Sequence, residues 1–130
     1  MFNLAICFLL SFFLVSPLFT QFQNVVVSNS NYPNEVTIMI NPKNPNQMVV
    51  GSNIFYFGAG TSLSGYYFST NGGLNWTGGI LRSNVARPSG DPVILVDTSG
   101  NFHFLQNSNY GVNPHPWDRL LILRSTNGGA

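Results

Sequence analysis

Gly65-Tyr66-Tyr67-Phe68-Ser69-Thr70-Asn71-Gly72-Gly73-Leu74-Asn75-Trp76 is the stretch from which the fold can be read. It starts as an aromatic strand, breaks at Asn71-Gly72-Gly73 and resumes at an indole. Asn-Gly between apolar runs is a strong hairpin signal. A type I′ turn needs φ > 0 at both central residues, and Asn and Gly tolerate that best. A type I′ turn centred on Asn71-Gly72 is therefore expected. Most of the stretch recurs as Leu123-Arg124-Ser125-Thr126-Asn127-Gly128-Gly129-Ala130, so that Ser69 and Ser125 set a period of 56 residues.

Upstream of this stretch, Val25-Val26-Val27 reads as a short lead-in strand followed by a polar loop, Asn29 to Asn34. Glu35 to Ile40 alternates, with Val36, Ile38 and Ile40 on one face, and reads as a strand. Asn41-Pro42-Lys43-Asn44-Pro45-Asn46 is a turn cluster, because its prolines donate nothing to a ladder and its asparagines favour bends. Gln47 to Ser52 is the next strand. Residues 53–64 are expected to form a Gly/Ser/Thr loop with an aromatic patch at Phe55-Tyr56-Phe57. The opening stretch supplies a third strand, its turn, and a fourth strand starting near Asn75-Trp76.

A second unit starts at Asp91-Pro92. Val93 to Asp97 is a strand, Thr98-Ser99-Gly100-Asn101 a tight turn, and Phe102 to Gln106 a strand. Residues 107–116 form a longer loop, Trp117-Asp118 follows, and Arg119 to Arg124 is a third strand leading into the second Asn-Gly-Gly. No stretch after residue 20 combines a 3.6-residue apolar period with capping signals, so no helix is placed there.

Composition agrees with turn-rich β structure. Only 7% of the 130 residues are charged, and Asn, Ser, Thr and Gly carry the polarity instead. The net charge of +1 leaves no electrostatic footprint for nucleic acid. Residues 1–20 read as a secretory signal: an apolar run from Leu4 to Val15, then Ser16-Pro17, with cleavage expected near Thr20-Gln21. The run is too short to span a bilayer, and no further membrane segment is expected. The single cysteine, Cys7, lies within it, so the exported chain would hold neither disulfides nor cysteine-based metal or thiol chemistry.

Strand, turn, strand, loop, strand and Asn-Gly-Gly thus occur twice. A period of this length with several strands per repeat points to a β-propeller, each unit a four-stranded blade. The expected organisation is an all-β chain with a lead-in over residues 21–34, a first blade over 35–90 and a second over 91–130, truncated inside its turn. Because propellers close with about 4–8 blades, the chain is expected to be part of a longer one that supplies the remaining blades.

Ser69-Thr70-Asn71-Gly72-Gly73-Leu74-Asn75-Trp76 resembles the Asp-box, or bacterial neuraminidase repeat, of the form Ser-x-Asp-x-Gly-x-x-Trp. It matches at Ser69, Gly73 and Trp76, with Asn71 in the Asp place, and Ser125, Asn127 and Gly129 repeat the match. Ile40-Asn41-Pro42-Lys43-Asn44-Pro45-Asn46-Gln47-Met48-Val49-Val50-Gly51 is also similar to the first hairpin of such blades. The resemblance implies a sialidase-type propeller whose boxes are structural, on the rim away from any active centre. It also implies an extracellular protein, secreted or at the cell surface, that binds glycans or cell-surface proteins. The alternative it carries is an exo-glycosidase acting on terminal sialic acid, with most catalytic residues beyond residue 130.

Sialidase-type enzymes use an arginine triad for the substrate carboxylate, a Tyr/Glu nucleophile and an Asp acid/base. The Arg-Ile-Pro signature that begins the pattern is absent, and Arg87-Pro88-Ser89-Gly90-Asp91-Pro92 is the nearest stretch. Arg87 and Asp91 are therefore the catalytic candidates, with turn formation before Pro92 the competing role for Asp91. Glu35 occupies the matching position before the first unit, which favours a shared structural cause. Arg82, Tyr110 and Trp117 are the ligand-binding candidates, a guanidinium for a carboxylate and two loop aromatics for a sugar face. Tyr56, Tyr66 and Tyr67 are expected to serve packing. His103 and His115 have no metal-site spacing, Asp97 heads a hairpin turn, and no cofactor motif is present.

Overall fold

The computed structural model describes residues 23–56, 61–109 and 117–130. Strands form where β-branched and aromatic residues alternate with small polar ones. They are β1 (Asn34–Ile40), β2 (Met48–Tyr56), β3 (Thr61–Ser69), β4 (Thr77–Ile80), β5 (Arg87–Pro88), β6 (Val93–Val96), β7 (Phe102–Asn109) and β8 (Arg119–Ser125). All pairing is antiparallel, and no helix occurs among the described residues. The chain is all-β, in two open sheets.

The first sheet is a meander, β1-β2-β3-β4. In the second, β7 pairs with β8 along one edge and with β5 and then β6 along the other. Arg87 and Pro88 face Asn109 and Ser108, and Val93 to Val96 face Leu105 to Phe102. β5 and β6 therefore act as one edge strand broken at residues 89–92. β1 carries the same irregularity, its register shifting between Asn34 and Thr37. Such interruptions bend a strand and leave a residue outside the ladder.

The sheets stack face to face over a core of Val49, Ile94, Phe102 and Phe104, with Met39, Tyr66, Phe68, Leu81, Val96 and Leu123 packed around it. Register explains the membership. Val49 opposes Phe68 and Gly51 opposes Tyr66 on one sheet, while Ile94 opposes Phe104 and Phe104 opposes Leu123 on the other. Gly51 admits the Phe104 ring: a Cβ there would lie 2.7 Å from Phe104 Cζ and 3.2 Å from Thr37 Cγ2. Burying a phenyl ring contributes about 1.5–3 kcal/mol. The far face of the second sheet stays open, with Val93, Leu95, Leu120 and Ile122 between 49% and 73% exposed.

Several expectations change. Residues 53–64 are not a single loop, since β2 continues to Tyr56 and β3 begins at Thr61. Ser64 and Asn53 are small enough to sit inside the stack, where Ser64 is fully buried and Asn53 nearly so. β7 runs to Asn109, three residues into the expected loop, and the fourth strand starts at Thr77 rather than at Asn75-Trp76. Val25–Val27 joins no ladder; a bond from the Phe55 N–H to the Asn31 carbonyl ties this lead-in to β2 instead. The signal segment over residues 1–20, with Cys7, lies outside the described residues, as do Phe57, Tyr110 and His115.

Gly51→Ala is expected to lower unfolding free energy by about 1–3 kcal/mol, the usual cost of overpacking. Urea denaturation measures it, and an unchanged midpoint would show that Phe104 does not depend on the bare backbone.

Candidate functional site

Strand direction divides the connections between two ends of the stack. One end carries the turn at residues 41–47, the box at 69–76, the turn at 97–101 and the second box from Ser125. The other carries the entry to β1, the connection 81–92 and Trp117-Asp118. The boxes and the catalytic candidates are therefore at opposite ends.

At the box end the repeat is atomic. Ser69 Oγ donates to Asn71 Oδ1 (2.9 Å) and accepts from the N–H groups of Asn71 (3.3 Å) and Gly73 (2.9 Å). Ser125 Oγ makes the same three bonds, to Asn127 Oδ1 (2.6 Å) and from the N–H groups of Asn127 (3.4 Å) and Gly129 (2.9 Å). Asn71 Oδ1 also accepts from the Asn75 N–H, and Trp76 Nε1 donates to the Gly73 carbonyl, both at 2.9 Å. Trp76 is half-buried.

The type I′ turn on Asn71-Gly72 is not formed. The left-handed residues are Gly72 (φ 70) and Gly73 (φ 87), matched by Gly128 (φ 80) and Gly129 (φ 98). Asn71 contributes its side chain as a cap and stays out of the left-handed region, because the connection is seven residues long rather than two. The second box also locks the sheets together, for a Cβ at Gly129 would lie 2.5 Å from Val49 Cγ2 and 3.1 Å from Phe68 Cβ.

The neighbouring turns repeat as well. Lys43 N–H bonds Asn41 Oδ1 at 3.0 Å, and Ser99 N–H bonds Asp97 Oδ1 at 2.8 Å. Asp97 is further held by the Asn101 N–H and amide and by His103 Nε2 at 3.1 Å. The Asn101 side-chain bond, then the Asn101 N–H, then His103 hold the Asp97 carboxyl well below the usual carboxylate range. Asp97 thus builds a hairpin turn, as expected. His103 does have a carboxylate neighbour, six residues back across the turn, which sequence spacing did not reveal.

The opposite end gathers the acids. Glu35 and Asp91, the residues at the two strand irregularities, both have φ 48, a left-handed value that is strained for side-chain-bearing residues. Asn53 Nδ2 donates to Glu35 Oε2, and Asn107 Nδ2 donates to Asp91 Oδ2 at 2.7 Å. Asp91 hydrogen bonding comes first, then desolvation and the Asp91 charge, in raising the Glu35 pKa against the opposing bond from Asn53. Sequence reasoning matched Glu35 with Asp91 by position; the influence of one on the other was not legible.

Trp117 is 56% exposed and lies over Gly90, where a Cβ would be 3.5 Å from Cζ2 and Nε1 of its ring. The ring therefore sits over the residue that precedes Asp91. Arg87 Nη2 and Ser89 Oγ both donate to the Ser62 carbonyl, at 3.3 and 3.1 Å, tying the broken edge strand to β3. Arg82 is exposed on the same connection. Sequence reasoning missed Arg119, which grips the Asp118 carboxylate through Nε (2.7 Å) and Nη2 (2.8 Å) beside Trp117. Tyr66 packs against the core and Tyr67 is buried, so both serve packing. An exposed indole next to a carboxylate can pair an apolar sugar face with an acceptor for its hydroxyls.

Ser69→Ala leaves the half-buried Gly73 N–H without its acceptor and is expected to cost about 0.5–1.5 kcal/mol in urea denaturation. The ligand end should be unaffected. Glu35 should give the fold a pH dependence of definite sign. Its raised pKa means that the folded state holds the proton more tightly, so this contribution is full below the ordinary value and is lost as pH rises through the folded one. Asp91→Asn removes the main cause, and its left-handed backbone suits Asn. The difference in urea midpoint between this variant and the parent should therefore shift in favour of the variant as pH rises through the carboxylate range. A pH-independent difference would contradict it.

Compared with models of protein families, with curated proteins and with solved structures, the chain matches none.

Proposed function

We propose that this chain forms part of a secreted, sialidase-like propeller that binds an extracellular glycan or a cell-surface protein. Binding occurs through the end of the sheets that carries Glu35, Asp91 and Trp117. One observation carries the reading: the same Ser-x-Asn-x-Gly box, with the same three hydrogen bonds, closes the third strand of each of two stacked sheets. That is the blade signature the sequence resembles. The boxes are taken up by turn geometry, which leaves the opposite end for a ligand.

The second reading is an exo-acting glycosidase of the sialidase type. The raised pKa of Glu35, caused first by Asp91, favours it, since it moves in the direction a proton donor needs. Arg87 is a poor carboxylate clamp in this arrangement, because its guanidinium donates to the Ser62 carbonyl.

An array of sialylated and neutral glycans tests both readings. Binding without cleavage is expected, weakened about tenfold by Trp117→Ala, equivalent to ~1.4 kcal/mol, and unchanged by Ser69→Ala in folded protein. Cleavage of a fluorogenic sialoside would select the glycosidase. Failure to bind any glycan, with Trp117→Ala equally inert, would leave the glycan reading without support.

A further inference from the structure

The two sheets stack in the same sense. The face of the first sheet that receives the second carries Met39, Val49, Gly51 and Tyr66. The repeat shifts β1 and β3 by 56 residues, and β2 by 54 because the turn headed by Asn41 is two residues longer than that headed by Asp97. Those four positions then become Leu95, His103, Leu105 and Ile122. Leu95 and Ile122 lie on the open face of the second sheet, 50% and 60% exposed. The reverse holds too. Ile94 and Val96 turn toward the first sheet, and their counterparts Ile38 and Ile40 stand on its outer face, 54% and 47% exposed. The stack therefore has two unlike outer faces, one patterned to receive a sheet and one patterned to be received.

The boxes carry the same asymmetry. Gly128 and Gly129 are buried because the second box sits against Gln47, Val49 and Phe68 of the first sheet. Gly72 is exposed and Gly73 half-buried, although their turn makes the same bonds. The side chains nearest those two glycines, Asn46, Met48 and Trp76, belong to their own unit. What the first box lacks is a receiving sheet.

Contiguous exposed apolar residues mark interaction surfaces, and here each surface has the complement of the other. We propose that copies of this chain associate head to tail, the open face of the second sheet in one copy seating on the outer face of the first sheet, along β1, in the next. The contact repeats between copies the packing that holds β6 against β1 and β2 within one. Val27 and Pro33 of the lead-in cross the outer face beside Val50 and Tyr67 but leave an apolar cavity of about 260 Å³ that reaches Val36 and Ile38, so the β1 strip stays accessible. Leu105 stands at the Gly51 position and Val50 at that of Phe104, so the contact between copies lacks the ring that anchors the internal one and is the weaker of the two. A heterologous contact of this kind closes into a ring or runs on as a filament. With two sheets per copy and about 4–8 sheets in a closed propeller, about two to four copies complete a ring. That number rests on the propeller reading; the contact itself rests on the repeat and needs no glycan.

Sedimentation and light scattering of the whole chain across the micromolar range test the proposal. A discrete species of two to four copies that dissociates on dilution is expected. Ile38→Lys and Leu95→Lys each place an unpaired charge in the contact and should weaken it at least about a hundredfold. Both positions are about half exposed in the single chain, so circular dichroism should not change. Mixed together, the two variants should form a one-to-one dimer and go no further, because each keeps the face that the other has lost. Should either fold poorly, Val36→Lys and Leu120→Lys carry the same test at positions 71% and 73% exposed. Assembly that is lost with Leu95→Lys but survives Ile38→Lys would overturn the head-to-tail contact in favour of two like faces. Growth without limit would overturn the ring. A chain that stays monomeric at every concentration would overturn the association altogether and leave the glycan reading standing, since the array tests that separately.

Discussion

The stack depends on one aromatic ring meeting bare backbone. Phe104 reaches the first sheet at Gly51, where any side chain would hold the sheets apart. The rest of the apolar layer assembles around that approach, with Val49 and Phe68 on one side and Ile94, Phe102 and Leu123 on the other. The contact also sets the depth at which the core ends. Two residues further along each strand the facing side chains become Asn53, Ser64 and Gln106, and the interface turns polar. One close approach thus marks where the apolar core gives way to a polar layer.

The 56-residue repeat is more than a motif match, because it reproduces bonds. The box serines make the same three contacts, the turns headed by Asn41 and Asp97 cap the same N–H, and the acids Glu35 and Asp91 share one left-handed φ. The period is not uniform. Asn41 bonds forward to Gln47 and Asp97 to Asn101, so the first turn is two residues longer, and β2 matches β7 at an offset of 54 rather than 56. Asn53 then corresponds to Asn107, and each ties down its own unit's acid. A fixed-period comparison of the sequence passes over that correspondence.

The legible features were those whose physics is local. Ser69, Asn71 and Gly73 announced their turn because a cap and a left-handed backbone need those residue types at that spacing. Phe102, His103 and Phe104 alternate along a strand expected from the sequence, and Phe102 and Phe104 are buried while His103 is not. Features that depend on the partner sheet were not legible. Residues 53–64 look like a loop because serine, glycine and asparagine are loop formers, yet the second sheet buries part of that stretch within strands. The assignment of φ > 0 to Asn71 failed for a related reason: its side chain had other partners, and the glycines after it could take the strain at less cost.

The candidate site shows the same division. Asp91 and Trp117 were separate suggestions along the chain, and tertiary structure sets the indole over Gly90, next to the acid. Arg87, the most enzyme-like of the sequence candidates, is drawn onto the Ser62 carbonyl by the break between β5 and β6. The influence of Asp91 on the Glu35 pKa needs two backbone irregularities 56 residues apart to be brought near each other by stacking. Each sheet of this pattern delivers one carboxylate to the same end. Asp97 forms its turn with its carboxylate satisfied by local donors. Glu35 and Asp91 instead take their amide donors from across the ladder, Asn53 on β2 and Asn107 on β7, so each acid ties the break in its own edge strand to the strand beside it.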